Sequence, residues 1–361
     1  RFGCTRILGI RDCSVQRNKQ KIVEESFSTA LTPEQYDIAV SSTEKLANAC
    51  DYHGAGTVEF IYDLDQLSLY FMEMNTRLQV EHPVTEKVSG VDIVKEQYRI
   101  AMGDSIEQLQ VQDQGYAIEV RINAEKVRVQ DSELIVTPCP GKVTECEFPE
   151  EDGIDSIVMI AAGKSIPPFY DNLVAQVIAH GETREQTVKF MLDYLSKVNI
   201  KGVETNVELL KLVLLDEVFS SGEFDTTYLV DLTRRSADEM SATLEGEEYE
   251  KVETVEQSIL VEGSEELKVF APTTSIVYHS VSPDQPAYVK EGDTISVDQT
   301  LCLLEVMKMF QPLNLKNFNK HGQAMYPSDQ RYKVMHVKGA DGQQVNQGDL
   351  LFVIKPVKVE A

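Results

Sequence analysis

The sequence lacks any apolar run near the ~18 residues that cross a bilayer. It also lacks the charged, apolar and small-residue succession of a signal peptide. No membrane partner is expected. Positive charge is scarce: 34 Lys and Arg stand against 59 Asp and Glu, a net charge of −25. A polyphosphate backbone would be repelled, so nucleic acid is not an expected partner either. The six cysteines (Cys4, Cys13, Cys50, Cys139, Cys146, Cys302) show no metal-type pairing. That points to a reducing compartment, the cytoplasm or, in a eukaryote, the mitochondrial matrix. What is present is a chain of 361 residues, 42% hydrophobic, enough for two or three domains. It opens inside an expected strand, Thr5 to Ile10, and reads as a piece of a longer protein.

Arg11 to Lys21 is polar and basic within an acidic chain. It reads either as a solvated loop or as a contact for an anion such as phosphate. Thr32-Pro33-Glu34-Gln35 predicts a capping box with proline at the first helical position. The helix after it places Tyr36, Ala39, Val40, Leu46 and Ala47 on one face and ends in the glycine-rich turn at His53 to Gly56.

A hairpin follows, Thr57 to Tyr62 against Leu69 to Met74. Glu59 and Glu73 face each other in otherwise apolar strands, where a buried carboxylate costs several kcal/mol unless paired or metal-bound. If the chain stays extended to His82, alternation puts Glu73, Asn75, Arg77, Gln79 and Glu81 on one face. That face is either solvated or a site. As a site, two carboxylates and an asparagine are hard oxygen ligands suited to Mg²⁺ with nucleotide phosphates. Arg77 offers a fork for a small planar anion, and Glu81 is a candidate general base. His82 is followed by Pro83 with no second histidine near, so a structural role is expected. Asp92 to Met102 predicts an amphipathic helix closed by Gly103.

Residues 115–232 read as alternating strands and helices, with Glu119, Arg121 and Asn123 on one strand face, a stiff loop at Ile166 to Asp171, and capping boxes at Thr183 and Thr205. Residues 233–267 are rich in Asp and Glu and predict an extended linker. Residues 268–358 contain a repeat: Gly292-Asp293-Thr294-Ile295 with Leu301 and Leu303 recurs as Gly342-Gln343-Gln344-Val345 with Leu351 and Val353. A duplicated unit of short strands predicts a pseudo-symmetric β sandwich or barrel. Glu305-Val306-Met307-Lys308-Met309 lies at the crossing between the copies, where a hairpin tip would expose Lys308 on a short apolar platform.

That pentapeptide, set between half-repeats and preceded by Phe270-Ala271-Pro272, resembles the biotinyl domain of biotin-dependent carboxylases. Residues 1–232 resemble the C-terminal part of biotin carboxylase, an ATP-grasp enzyme. The motifs are Arg11-Asp12-Cys13-Ser14, Gly54 to Phe60, Met72 to Glu86 and Arg121 to Glu125. The resemblance implies an α+β chain. It would comprise the C-terminal part of an ATP-grasp domain (1–110), a biotin carboxylase C-terminal domain (115–232), the acidic linker (233–267) and an all-β biotinyl/lipoyl-like barrel-sandwich (268–358).

The resemblance implies roles by position. Glu59, Glu73 and Asn75 would hold Mg²⁺ (or Mn²⁺) on ATP, with Gln16, Lys19, Gln20, Lys21 and Ile61 on the nucleotide side. Arg77, Gln79 and Val80 would hold bicarbonate, and Glu81 would take its proton to give carboxyphosphate. Arg121 would stabilise the biotin enolate, and Lys308 would carry biotin covalently. The implied assembly is the carboxylase and carrier subunit of an acyl-CoA carboxylase acting on acetyl-, propionyl- or methylcrotonyl-CoA. Implied partners are a separate carboxyltransferase, a biotin protein ligase and further copies of the chain. Pyruvate and urea are alternative acceptors; a degenerate carrier and assembly subunit, or a lipoyl carrier, are alternative readings.

The sequence departs from that family at several points. Lys19 stands where a histidine or asparagine is usual, Gln176 where a lysine is usual, and Lys126 where an aspartate is usual. The segment from Phe310 to Tyr332 is longer than in family members and reads as a loop. The family's N-terminal domain and ATP-grasp lid are not in this sequence, so residues 1–361 alone are expected to show little ATP-dependent biotin carboxylation.

Overall fold

The structure, a computed structural model, describes residues 3–17, 20–244, 266–282, 284–318, 326–327 and 330–357. Two units divide the chain. The first takes Arg1–Val136, Val143–Lys164 and Leu173–Gly246; the second takes Thr137–Lys142, Ser165–Asn172 and Glu247–Ala361.

The expected opening strand, Thr5 to Ile10, does not form. No strand among the described residues pairs with it, and Gly9 sits at φ +121°. Without a ladder its backbone groups have no reason to stay extended. A short ribbon follows, β1 (Gln16–Arg17) antiparallel to β2 (Gln20–Lys21), and then β3 (Val23–Glu25). Helix α1 (Pro33–Ala49) starts where predicted, with Thr32 Oγ1 accepting from the Gln35 N–H at 3.4 Å. The reciprocal half of the box is missing, because the Gln35 amide donates to the Leu67 carbonyl at 3.2 Å. The hairpin β4 (Thr57–Asp63) and β5 (Ser68–Asn75) pairs Glu59 with Glu73 as expected.

Beyond Asn75 the extended run ends. Helix α2 (His82–Ser89) takes over, and Glu81 at its N-cap has φ −80° and ψ 12°. Pro83 in the first turn favours a helix start there, so strict alternation stops at Asn75. Helix α3 (Ile93–Met102) is capped by Asp92, which accepts from the Lys95 N–H at 2.8 Å, and is closed by Gly103 at φ +100°.

The middle of the chain supplies β6 (Tyr116–Asn123), β7 (Glu125–Gln130), β8 (Glu133–Pro138), β9 (Gly141–Lys142), β10 (Glu145–Glu147), β11 (Ile154–Val158), β12 (Ser165–Ile166) and β13 (Leu173–Gly181). The main sheet has the order β11–β13–β6–β3 and is antiparallel throughout. Its central strand β6 is buried along its whole length except at Arg121. Ile118, Val120 and Ile122 point to one side. Ala117 points to the other, against Val84 and Val88 of α2.

Helix α4 (Arg184–Leu195) is capped by Thr183 as its spacing predicts. After β14 (Asn199–Lys201), helix α5 (Val207–Leu215) lacks the predicted capping box. Asn206 takes the cap position, but its side chain accepts from the Asn123 N–H (2.7 Å) and donates to the Arg121 carbonyl (3.0 Å). That pair of bonds clamps the backbone of β6 beside Arg121. Helices α6 (Glu217–Ser221), α7 (Tyr228–Arg235) and α8 (Ala237–Leu244) complete the unit. The linker expected from residue 233 is therefore corrected at its start, where α8 is regular helix with Met240 buried. Residues 245–265 of that expectation lie outside the described residues.

In the second unit, β9 pairs with β12. The rest is β15 (Leu267–Phe270), β16 (Ser275–Tyr278), β17 (Thr294–Ile295), β18 (Cys302–Val306), β19 (Met309–Leu313), a 3₁₀ turn at Leu315–Phe318, β20 (Tyr332–Val337), β21 (Gln343–Val345) and β22 (Leu350–Pro356). They form two four-stranded sheets, β15–β22–β20–β17 and β19–β18–β16–β21. The repeat explains the pairing. Each copy contributes an edge strand to one sheet and a central strand to the other, β17 and β18 from the first, β21 and β22 from the second. Val277, Leu304, Phe352 and Ile354 fill the space between. The segment expected to be a loop after Phe310 is ordered through β19 and the 3₁₀ turn, and Leu315 and Tyr326 join this core. Residues 319–325 and 328–329 lie outside the described residues.

Candidate active site

In the first unit, Lys21, Glu59, Gln79, Glu81 and Arg121 converge from four segments. Lys21 Nζ donates to Glu81 Oε1 at 2.7 Å and to Glu59 Oε1 at 3.3 Å. Gln79 Nε2 donates to Glu59 Oε1 at 2.7 Å. Arg121 Nη2 donates to Glu81 Oε2 at 3.0 Å and to Glu24 Oε1. Arg11 Nη2 donates to Gln79 Oε1 at 2.5 Å and thereby orients that amide.

Glu81 is 3% exposed, so its charge depends on these partners. Burial alone pushes the carboxyl up. The hydrogen bond and charge of Lys21, a backbone N–H and the charge of Arg11 outweigh it and hold the carboxyl below its ordinary value. Burial likewise favours a neutral Lys21, but its neighbours hold it protonated. The Cys13 thiol beside it is pushed up to about 12 by burial and is neutral at physiological pH. The carboxylates of Glu81 and Glu59 are then what keeps Lys21 charged. The result is an ionised carboxylate with both oxygens engaged by cations, an arrangement able to accept a proton from a small acid.

The expected metal ligands sit at the open end of the hairpin. Asn75 Nδ2 lies 3.0 Å from Glu59 Oε1 and 3.2 Å from Glu73 Oε1, so the two carboxylates converge on one point. The Asn75 N–H₂ here fills that point as a donor to both carboxylates; with the amide turned to present Oδ1, the three oxygens are a donor set suited to a hard divalent cation. Glu73 is exposed, which corrects the expectation that this carboxylate is buried in its apolar strand. Among the described residues no group of three or more His, Cys, Asp or Glu could hold a metal ion.

Other expected residues fall outside the network. Arg77 is exposed, and its guanidinium donates to the Leu78 carbonyl at 3.3 Å. Val80 is exposed, and its carbonyl accepts from Gln176 Nε2 at 2.9 Å. Ile61 is exposed on β4. Gln20 accepts from Arg17 at 3.3 Å, and Gln16 pairs with Lys21 across the ribbon. Lys19 lies outside the described residues. His82 accepts no catalytic position; its Nδ1 meets the Gln79 carbonyl at 2.9 Å, as its structural reading implied. Glu24 was not singled out from the sequence, and Arg11 entered it only within the Arg11-Asp12-Cys13-Ser14 motif and the basic segment that it opens.

In the second unit, Val306 and Met309 are cross-strand partners, so Met307 and Lys308 are the two turn residues between them. Their φ values are 52° and 60°. Positive φ at both central positions is the type I′ turn that matches the strand twist, although neither residue is glycine. The Met307 N–H donates to the Pro168 carbonyl at 2.7 Å, and the Met307 side chain is 1% exposed. Lys308 is 65% exposed, with Nζ 3.5 Å from Asp171. The turn buries the methionine and projects the amine, which fits a lysine that accepts a covalent group.

The chain carries biotin carboxylase domains and a biotinyl domain. Residues 3–109 match the ATP-binding domain of the carbamoyl-phosphate synthase L chain, residues 119–231 match the biotin carboxylase C-terminal domain, and residues 268–317 match the domain of biotin-requiring enzymes. Biotin carboxylase 1 of Bacillus subtilis (strain 168) is 45% identical over 230 residues, 63% of this chain and 50% of that protein. The chain spans about half the length of the curated relatives it matches. Among solved structures, the biotin carboxylase domain dimer of Hydrogenobacter thermophilus 2-oxoglutarate carboxylase, in complex with MgADP, ADP and bicarbonate, is 39% identical. The match covers 68% of this chain and 51% of that one, with a TM-score of 0.57. A single-chain, multi-domain long-chain acyl-CoA carboxylase is 25% identical over 98% of this chain and 33% of that one, with a TM-score of 0.58. Among the described residues no helix is long and apolar enough to cross a membrane.

Proposed function

We propose that this chain belongs to the carboxylase and carrier subunit of an acyl-CoA carboxylase, and that it takes part in ATP- and bicarbonate-dependent carboxylation of biotin held on Lys308. The observation that carries the reading is the ionised Glu81, gripped by Lys21 on one oxygen and Arg121 on the other.

In this reading Glu81 takes the proton of bicarbonate. A bicarbonate oxygen then bonds to the γ-phosphorus of ATP as the bond to ADP breaks, giving carboxyphosphate. That species cleaves to CO₂ and phosphate. Glu59, Glu73 and Asn75 would hold Mg²⁺ (or Mn²⁺), which would supply positive charge for the phosphates, with Gln16, Lys19, Gln20, Lys21 and Ile61 on the nucleotide side. Gln79, with Arg77 and Val80, positions bicarbonate. Arg121 stands at the charge that develops on the acceptor oxygen. Biotin on Lys308, when attached, would supply the nitrogen that takes up CO₂, with the N–H proton passing to the released phosphate. A biotin protein ligase attaches it, a separate carboxyltransferase receives the carboxyl group, and the carboxylase part pairs with a second copy, as the solved relative's domain does.

The similarity over 98% of the chain to a long-chain acyl-CoA carboxylase favours an acyl-CoA acceptor. The test is purification of the native complex by its biotin, followed by assay of acceptors with labelled bicarbonate. Carboxylation of acetyl-, propionyl- or methylcrotonyl-CoA is the expected result. Activity confined to pyruvate, 2-oxoglutarate or urea rejects the acyl-CoA assignment.

A further inference from the structure

Behind Arg121 lies a pair of carboxyls that the proposed reaction does not use. Glu24 of β3 and Glu119 of β6 are direct cross-strand partners in the main sheet. Directly opposed side chains stand about 5 Å apart at Cβ. Both residues are 0% exposed. Each has one oxygen, Oε2 in both cases, that is buried without a hydrogen-bond partner. Their remaining oxygens are engaged. Glu24 Oε1 accepts from Arg121 Nη2, and Glu119 Oε1 accepts from Gln176 Nε2 at 3.0 Å.

Charge balance in this space does not close. Facing it from β3 is Glu24, from β6 Glu119 and Arg121, from β13 the neutral Gln176, from β2 Lys21, from the N-cap of α2 Glu81, and from the segment before β1 the neutral Cys13 thiol and Arg11, whose charge acts on Glu81. The ionisable groups of α2 itself are taken up elsewhere. His82 Nδ1 meets the Gln79 carbonyl at 2.9 Å, Glu86 accepts from the Ile93 N–H at 2.6 Å, and Lys87 pairs with Asp155 at 2.5 Å. Glu25, next to Glu24, points the other way to Arg184 and Tyr116. Lys21 and Arg121 must therefore serve Glu81, Glu24 and Glu119, while Lys21 is shared with Glu59. Two opposed buried carboxylates with orphaned oxygens and one cation between them cannot both stay ionised.

We propose that Glu24 and Glu119 hold a single proton between them, and that this proton keeps the Arg121 guanidinium directed at Glu81. The second half follows from the position of Arg121. Its Nε is buried without a hydrogen-bond partner and lies 3.9 Å from Glu119 Oε1. An ionised Glu119 draws that edge of the guanidinium toward itself and away from Glu81. A protonated Glu119 leaves Nη2 on Glu24 and Glu81. Electrostatics agree with the geometry. Burial pushes both carboxyls up, the charge of Glu24 raises Glu119 further, the charge of Glu81 raises both, and Arg121 offsets this only in part. Glu24 and Glu119 are thus positioning residues that act through Arg121.

The retained proton rests on the sheet geometry alone; only its bearing on catalysis rests on the function proposed above. The test is accordingly made without turnover. The full chain is labelled with ¹⁵N-arginine, the Arg121 Nε resonance is assigned by its loss in Arg121→Lys, and pH is varied from acid to alkaline. The wild-type Arg121 Nε resonance is expected to shift with pH in one step, at a midpoint above the ordinary carboxylate range. Glu119→Gln is expected to abolish that shift while keeping the fold. Gln176→Lys places a second cation beside Glu119 and is expected to move the midpoint to lower pH. A wild-type resonance that does not titrate, or one that titrates unchanged in both variants, overturns the shared proton. If the step is present but the purified complex carboxylates nothing, the function fails and this inference stands.

Discussion

Lys21 Nζ bridges Glu81 Oε1 at 2.7 Å and Glu59 Oε1 at 3.3 Å, joining the candidate base to a candidate metal ligand through one cation. Removing that cation should therefore be felt at both ends.

Lys21→Met is expected to lift the Glu81 carboxyl, because burial then acts with less to oppose it. The sign for stability follows. A carboxyl held below its ordinary value stabilises the fold above the unfolded carboxylate range and loses that contribution as pH falls through the depressed folded value. Wild type should lose stability on acidification through that window, and Lys21→Met should lose less. Thermal unfolding at a series of acid pH values checks this; parallel curves would reject it. In the native complex the same variant should lower bicarbonate-dependent ATP cleavage by about 10²–10⁴-fold, the usual worth of a positioned proton acceptor.

Arg17 and Glu125 form a buried bidentate pair, at 2.5 and 2.8 Å, with side chains 6% and 0% exposed. Glu125→Ala leaves a buried guanidinium short of its counter-ion and should cost about 3–5 kcal/mol. Arg17→Met with Glu125→Leu should cost much less, since no charge is stranded. Chemical unfolding of wild type and the two variants separates the cases.

Lys308→Arg should abolish streptavidin-detectable biotin while leaving the fold intact, because the side chain is 65% exposed. An intact mass showing a lipoyl increment, or a signal that survives the substitution, would reject Lys308 as the biotin site.

Met307→Gly sets two effects against each other. Glycine relieves the positive φ of 52°, worth about 1 kcal/mol. It also removes a side chain that is 1% exposed, worth roughly 1.5–3 kcal/mol. Burial should win, so the variant is expected to be less stable by about 1 kcal/mol, read as a lower unfolding midpoint of the carrier unit. A stabilised variant would mean that the turn strain is larger than the burial.

Local features were legible in the sequence. The Thr32 and Thr183 caps, the register of Glu59 with Glu73, the closure of α3 at Gly103 and the turn that exposes Lys308 all depend on residues within a few positions or one hairpin. Backbone geometry and side-chain period suffice for these. The reading failed where a local pattern met a tertiary competitor. Gln35 left its box for Leu67, Asn206 left its helix end for β6, and Pro83 turned an alternating run into a helix start.

The grouping of the site belonged to the tertiary structure. Lys21 reaches Glu81 across 60 positions, Arg121 reaches Glu81 across 40 and Glu24 across 97. No period in the chain encodes such pairs; Arg121 meets Glu24 because β6 and β3 are neighbours in one sheet, and meets Glu81 because α2 packs on β6. The sequence by itself determined which chemical groups this protein owns: the carboxylates, the arginine, and the lysine set between two methionines. The sheet decided which of them share a charge, because that depends on burial and on distances that only the folded chain creates.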